Sequence, residues 1–205
     1  MTDRGFLVLA DISGFTRFVT SSELEHGAEV TGALLATVIH RLAPPLEIQE
    51  LEGDAVFAVG PDRLVPDGGV LPGLLVDSFS AFKERQRQLV QENDCECRAC
   101  SGVSSLNLKL VAHHGPFVRQ SIGGRGRLAG PDVILVHRLL KNPLGADAYL
   151  LLTEPALRRI GDIAVGHEVQ RHRLSYPHLG DVSCVVVVLG DASGAGLAHA
   201  TRPAA

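Results

Sequence analysis

The stretch FLVLADISGFTRFV, residues 6–19, runs from five apolar residues straight into a carboxylate and then a turn. The uninterrupted apolar run from Phe6 to Ala10 is typical of a β-strand that is covered on both faces. Asp11 follows directly, before a Ser-Gly pair, although burying a carboxylate is costly. The side chain of an aspartate at such a junction most often only hydrogen-bonds to the backbone of the turn. Whether Asp11 has a further role depends on which residues the fold places next to it.

The following residues alternate between helical and strand patterns. Apolar residues at roughly helical spacing predict a helix that begins at the capping-box pair Ser22 and Glu25 and ends at Pro44-Pro45. A tight Gly53-Asp54 turn separates the next two predicted strands. The predicted elements in order are a strand at 6–10, this helix, strands at 46–51 and 55–59, a Gly/Pro-rich linker at 61–72, a helix at about 74–92 and a strand at 106–112. This β-α-β-β-α-β order is typical of the ferredoxin-like fold and predicts an α+β protein.

Additional C-terminal elements extend this core. The patterns predict a helix at 133–141, strands at 149–152, 168–174 and 182–189, and a short helix at 155–160 with Thr153 as its N-cap. We expect a single domain over residues 1–190, with a Cys-rich loop at about 93–102. Residues 191–205 are rich in Ala, Gly and Ser, and we expect a disordered tail there.

Composition excludes several classes of function. The chain has 205 residues, a formal net charge of −4, no Trp and two Tyr, so neither a basic surface nor aromatic platforms for nucleic acid are expected. No signal peptide is recognisable, and no apolar run approaches the roughly 18 to 20 residues of a transmembrane helix. We therefore expect a cytoplasmic protein without membrane or nucleic-acid partners, whose four cysteines stay reduced.

Asp11 and Asp54 are the two carboxylates that this fold could bring together. In a β-α-β-β sheet the first strand can lie beside the hairpin strands, so the strand end and the hairpin turn would meet at one end of the sheet. Two hard oxygen ligands at such a point suit Mg²⁺ or Mn²⁺. A metal held there could orient a triphosphate for in-line displacement, whereas two turn aspartates without a ligand remain the simpler interpretation.

Four motifs, in order along the chain, resemble those of the class III nucleotidyl cyclases. They are LADISGFTRFV (9–19), LEGDAVFAV (51–59), LKLVAHHGPF (108–117) and LAGPDVILVHRLLKN (128–142). The chain also resembles a group of uncharacterised bacterial cyclase-like proteins, DUF2652, in SxxEHG (22–27), EGDAV (52–56), CxCxxC (95–100) and HRLLKN (137–142).

The resemblance implies a site with two divalent ions, Mg²⁺ or Mn²⁺, bound by Asp11, Asp54 and the carbonyl of Ile12. Arg138 matches the helix arginine that stabilises the developing phosphoryl charge, a role that suits a guanidinium fork. Lys109, on the predicted strand at 106–112, matches the basic position that precedes the Gly-Ile-His of the cyclases. By this resemblance we expect a homodimer with a shared site that converts ATP or GTP to a 3′,5′-cyclic nucleotide and pyrophosphate.

Other positions depart from the cyclase pattern. Ile134 replaces the asparagine that orients the ribose, and isoleucine cannot donate a hydrogen bond. Glu50 replaces the adenine-reading lysine, as in guanylyl cyclases, and its base-reading partner falls near Arg127. The alternative is therefore a catalytically degenerate module of the same fold that binds metal, nucleotide or a protein partner. Glu50, Lys109 and Arg138 also keep the simpler interpretation of exposed surface residues.

The segment DCECRACSG places Cys95, Cys97 and Cys100 within six residues. Thiolates this close in a reducing compartment suggest Zn²⁺, with redox-active thiols or a structural loop as alternatives. A fourth zinc ligand is missing locally, and the candidates for it are Cys184, His26, His113 and His114. Adjacent residues point to opposite sides of a strand, so we expect one of the two neighbouring histidines in the core and the other exposed.

Overall fold

A computed structural model describes residues 2–92, 95, 97–161 and 169–190. The strands are β1 (Thr2–Ser13), β2 (Glu47–Glu52), β3 (Ala55–Pro61), β4 (Asn107–Ile122), β5 (Arg125–Ala129), β6 (Tyr149–Thr153), β7 (Val169–Tyr176) and β8 (Gly180–Val188). The helices are α1 (Phe15–Ser21), α2 (Leu24–Leu42), α3 (Val70–Glu92), α4 (Arg98–Gly102), α5 (Pro131–Leu140) and α6 (Glu154–Ile160), with a 3-10 turn at Val103–Ser105. The predicted tail at 191–205 lies outside the described residues.

All the strands belong to one 8-stranded sheet with the order β2-β3-β1-β4-β6-β8-β7, and β5 pairs with β4 outside this path. The first four strands are antiparallel and have the order of a ferredoxin-like sheet. After α5 the chain adds β6 parallel to β4, and β8 and β7 then extend the sheet. The predicted α+β fold with a ferredoxin-like core and additional C-terminal strands is confirmed.

The two faces of the sheet are covered unequally. One core contains residues of α2, α3, α4 and α6 packed on Phe6, Val8 and Ala10 of β1. The other core contains Leu7 and Leu9 of β1, and α5 is the one helix that contributes to it among the described residues. We call the side that holds this second core the α5 face. Because alternate strand residues point to opposite faces, Asp11 lies on the α5 face with Leu7 and Leu9.

Two predicted boundaries were wrong in the first half of the chain. The expected linker at 61–72 is shorter, because α3 begins at Val70 and includes Pro72 in its first turn, where a proline costs no helical hydrogen bond. The expected capping box does not form: Glu23, not Ser22, is the N-cap of α2, and the Ser22 hydroxyl is buried without a hydrogen-bond partner among the described residues. The helix α1, directly after β1, was not predicted.

The strand predicted at 106–112 is much longer. β4 continues to Ile122 and forms a hairpin with β5, which the sequence did not predict. The extension from Val118 onwards is exposed, so it lacks the apolar alternation that marks a half-buried strand. None of the described helices is both long and apolar enough to cross a bilayer.

The expectation of one buried and one exposed histidine on β4 was also wrong. His113 and His114 point to opposite faces, and both are buried, because helices cover both faces here. The ring of His113 shares hydrogen bonds with Thr153 Oγ1 (2.8 Å) and with Asp132 Oδ1 (2.7 Å). His114 Nε2 lies 2.9 Å from Asp62 Oδ1 on the other side. Each buried imidazole thus has polar partners, as buried polar groups require.

Candidate metal and nucleotide site

The sheet places Asp11, Asp54 and Lys109 at one end. Asp11 pairs with Ala55 of β3 on one side and with Lys109 of β4 on the other. Asp54 lies in the two-residue turn between β2 and β3, and its carbonyl accepts a hydrogen bond from the amide of Ile12 (3.3 Å). The residues predicted as metal ligands are therefore neighbours in the fold. Their role as ligands remains a prediction.

Both carboxylates carry raised pKa values. Burial and, to a smaller extent, the negative charge of Asp54 together raise the pKa of Asp11 to about 6, against the opposing charge of Lys109. Burial likewise raises the pKa of Asp54, against a hydrogen bond from its own backbone amide and the charge of Lys109. The Asp11 carboxylate accepts no hydrogen bond from any residue that the structure describes. Among the described residues, only Lys109 and the backbone amide of Asp54 offset the charges of the two partly buried carboxylates. Such a pair is a suitable site for a hard divalent cation, and the oxygen donors fit Mg²⁺ or Mn²⁺.

Tyr149 and Asn142, which the sequence did not single out, connect this end of the sheet to α5. Tyr149 pairs with Lys109 across β4 and β6, and the Lys109 Nζ lies 6.0 Å from the centre of the Tyr149 ring. Asn142, just after α5, donates a hydrogen bond to the Tyr149 hydroxyl (2.6 Å). The asparagine is a residue of the HRLLKN motif, but only the fold reveals its partner.

Glu50 and Arg127, the two positions expected to read the base, form an ion pair. The Arg127 guanidinium lies 2.9 Å from Glu50 Oε1, with both side chains partly exposed. A bulge at Gln49 shifts the register of β2, so that Glu50 lies opposite Phe57 and faces the same side as α5. Glu52, two residues on, contacts His137 of α5 at 3.0 Å. The two positions expected to read the base therefore lie on the α5 face, as Asp11 does.

Arg138 forms no ion pair with Asp11 or Asp54 in the part of the chain that the structure describes. It is exposed on α5, and its side chain forms no ion pair with any described residue. Ile134 lies one helical turn earlier on the same surface and is 55% exposed, which is unusual for an apolar side chain of this size. Together they form a surface on α5 that points away from the sheet.

The cysteine cluster lies on the opposite side of the sheet and gains a histidine. His26 Nδ1 lies 3.2 Å from Cys97 Sγ and 3.8 Å from Cys95 Sγ. Its ligand atoms and those of Cys95, Cys97 and Cys100 all lie within 4.8 Å of one another. Of the four candidates for the fourth ligand, only His26 is in this group. Cys184, His113 and His114 are not: Cys184 is buried in the core under α5, and both β4 histidines have other partners.

The fold is similar to that of class III nucleotidyl cyclase domains. A bacterial light-regulated adenylyl cyclase superposes with a TM-score of 0.68 at 14% identity, covering 91% of this chain and 52% of that chain. The guanylyl cyclase Cya2 superposes with a TM-score of 0.69 at 13% identity, covering 97% of this chain and 98% of that chain. At such low identity the similarity shows the fold alone.

The chain belongs to the family described as protein of unknown function (DUF2652), which matches residues 31–149. A relative from Mycobacterium tuberculosis (strain ATCC 25618 / H37Rv), the uncharacterized protein Rv2561/Rv2562, is 36% identical over 125 residues. The match covers 59% of this chain and 56% of that protein. The chain thus spans little more than half the length of this curated relative, and about half the length of the light-regulated cyclase.

Proposed function

We propose that the protein is a divergent class III nucleotidyl cyclase, a metal-dependent enzyme that converts a nucleoside triphosphate into its 3′,5′-cyclic nucleotide and pyrophosphate. The observation that carries this proposal is the Asp11–Asp54 pair at one end of the sheet, with Lys109 beside it and no hydrogen-bond donor to the Asp11 carboxylate among the described residues. The adenylyl and guanylyl cyclases that share the fold support it.

In this proposal Asp11, Asp54 and the Ile12 carbonyl hold Mg²⁺ or Mn²⁺, which when bound would screen the phosphate charges and make the ribose 3′-hydroxyl more acidic. Lys109 contributes a fixed positive charge next to the carboxylates, where it can pair with a triphosphate oxygen. Arg138 supplies a guanidinium that can donate two parallel hydrogen bonds to the phosphoryl group as its charge develops.

In this proposal Arg138 of one subunit would approach the metal bound by Asp11 and Asp54 of a second subunit. Within one chain it points away from the sheet, so a site that uses both Arg138 and Asp11 requires a partner subunit. The α5 face is the side on which a second copy would complete the site, because α5 alone of the described helices covers it. We therefore propose a homodimer with the site at the interface between its subunits.

The Glu50–Arg127 pair favours guanine as the base. A carboxylate can accept hydrogen bonds from the N1–H and N2–H₂ groups of guanine, and an arginine can donate to its O6 and N7 acceptors. Adenine offers Glu50 only its N6 amino group and presents a bare acceptor at N1. We expect GTP to give more product than ATP, and Glu50→Gln to reduce that preference.

The test is to incubate the purified protein with Mn²⁺ and either ATP or GTP and to measure the cyclic nucleotide by mass spectrometry. We expect product from the wild type and from Asp77→Ala, a control that removes an exposed carboxylate of α3 on the opposite side. Asp11→Ala should abolish it. Folded, Mn²⁺-loaded protein that gives no product from either nucleotide would contradict the proposal.

One observation favours a second function, that of a catalytically degenerate cyclase-fold module that binds metal and nucleotide. Ile134 stands where the cyclases use an asparagine to orient the ribose, and its exposed side chain has no hydrogen-bonding group to replace it. Such a module would be stabilised by nucleotide with Mn²⁺ but would form no product. A rise in melting temperature without cyclic nucleotide would identify it.

A further inference from the structure

The loop between α3 and β4 and the N-terminal end of α2 present four metal-binding side chains to one another. Cys95 and Cys97 come from the loop before α4 and Cys100 from α4 itself, whereas His26 comes from the first turn of α2, about 70 residues earlier in the chain. Three soft thiols and an imidazole are the donor set of a common structural zinc site, and they do not suit Mg²⁺.

The distances within this group fit a tetrahedral centre. With Zn–S of about 2.3 Å and Zn–N of about 2.0 Å, neighbouring ligand atoms in a tetrahedron are about 3.5 to 3.8 Å apart. The two His26 Nδ1 to sulfur distances are 3.2 and 3.8 Å, and the whole group lies within 4.8 Å. The four atoms therefore need to move by no more than about an ångström to bind a zinc ion.

From this geometry we infer that His26, Cys95, Cys97 and Cys100 form a structural Zn²⁺ site. With four protein ligands the coordination is complete, so no position is left open for a water or a substrate. The site lies on the side of the sheet opposite the α5 face. It is therefore separate from the proposed nucleotide site and does not depend on that proposal.

The ion would reinforce the packing of α4 against α1 and α2, which already share a core through Ala99 and Val103. The Glu23 carboxylate accepts a hydrogen bond from the Ala99 amide (3.1 Å) and lies 3.5 Å from Arg98 Nε. Both of these contacts are exposed or partly buried, so they contribute little alone. A zinc ion would join the same segments through coordinate bonds, holding α4 against α1 and α2 in the region directly before β4.

The alternative chemistry of such a cluster is a disulfide. Cys97 and Cys100 are spaced as CxxC, although no disulfide joins the described cysteines in this structure. A redox pair would not require His26, whereas a Cys₃His zinc site requires all four side chains. The histidine is therefore the residue that separates the two interpretations.

The test is the metal content of untagged protein, produced with added zinc and measured by elemental mass spectrometry. We expect about one zinc per chain in the wild type. We expect that Cys97→Ser and His26→Ala will lose most of it and that His26→Cys, which restores four ligands, will recover it. Cys184→Ala is the matched control, because it removes the cysteine outside the cluster and should keep the ion.

A second measurement does not depend on variants that fold poorly. Cobalt titrated into zinc-free wild type should give the visible absorption of a tetrahedral cobalt–thiolate centre, and zinc should abolish it. Wild type that takes up neither metal, zinc that persists in folded His26→Ala, or freshly purified protein with a Cys97–Cys100 disulfide and no zinc would each overturn the inference.

Discussion

Replacing Asp11 by asparagine should stabilise the metal-free protein at neutral pH, because the substitution removes a poorly compensated charge while keeping the shape of the side chain. The folded protein raises the pKa of Asp11 from 3.8 to about 6, mainly through burial and then through the charge of Asp54. A rise in pKa from 3.8 to about 6 corresponds to about 3 kcal/mol. Solvent reaches part of the side chain and screens the charge, so we expect a gain of about 1 to 2 kcal/mol in the free energy of unfolding.

The sign of the pH dependence follows from the direction of the shift. Because the pKa of Asp11 is higher in the folded than in the unfolded protein, the folded state binds the proton more tightly and the charge costs little at about pH 4. The cost grows as the pH rises from the unfolded pKa of 3.8 to the folded pKa of about 6, and it is nearly complete by about pH 7. Asparagine resembles the protonated acid, so the variant and the wild type should differ little at about pH 4 and most at about pH 8.

The assay is urea unfolding of wild type and Asp11→Asn in buffer freed of Mg²⁺ and Mn²⁺, at both pH values. Adding Mn²⁺ should make the wild type more stable than the variant. An ion at 100 times its dissociation constant stabilises the wild type by about 2.7 kcal/mol, and the variant has no complete site for it. A variant that is less stable than the wild type in metal-free buffer at about pH 8 would refute the reasoning.

Three further predictions concern other parts of the molecule. Burial lowers the pKa of His113 below its usual 6.5, so its contribution to stability is present above that pH and is lost as the pH falls below it. Urea unfolding should therefore show His113→Gln closer to the wild type at about pH 5 than at about pH 7. Gly5→Ala should lower the free energy of unfolding by about 1 to 3 kcal/mol or more, because its Cβ would meet the backbone of β3 at 2.6 Å or less. Gly32→Ala is the control: a Cβ there has nothing within 4 Å, so the variant should be neutral or stabilising in the same assay. Under the proposed shared site, Arg138→Ala and Asp11→Ala should each be inactive, and their mixture after subunit exchange should recover about a quarter of the wild-type product; no recovery in mixed dimers would contradict the shared site.

The pattern of apolar residues was enough to predict the core of the fold. Phe6 to Ala10 predicted a strand covered on both faces, and Gly53-Asp54 predicted the hairpin turn. Both features are visible in a short stretch of sequence, as a continuous apolar run and as a turn dipeptide. The sequence could not predict that β4 continues past Phe117, since that extension is exposed and makes its contacts with β5 instead of the core.

The site could be predicted only in part, because some of its contacts depend on tertiary packing and not on local sequence. Asp11 and Asp54 stood out because each occupies a fixed place relative to a strand. The sequence left four candidates for the fourth zinc ligand. His26 approaches the Cys-rich loop because of the way α2 packs, and sequence spacing does not predict that packing. Tertiary packing also decided the capping of α2, where Glu23 instead of Ser22 contacts the loop.

The proposed metal site requires that Asp11 and Asp54 bind a divalent cation together. Mn²⁺ binding to zinc-loaded protein can be measured by electron paramagnetic resonance, with wild type, Asp11→Asn, Asp54→Asn and the α3 control Asp77→Asn compared at neutral pH. We expect the wild type and the control to bind Mn²⁺, and each of the other two variants to lose most of that binding. Equal Mn²⁺ binding in all four proteins would contradict the proposed metal site at Asp11 and Asp54.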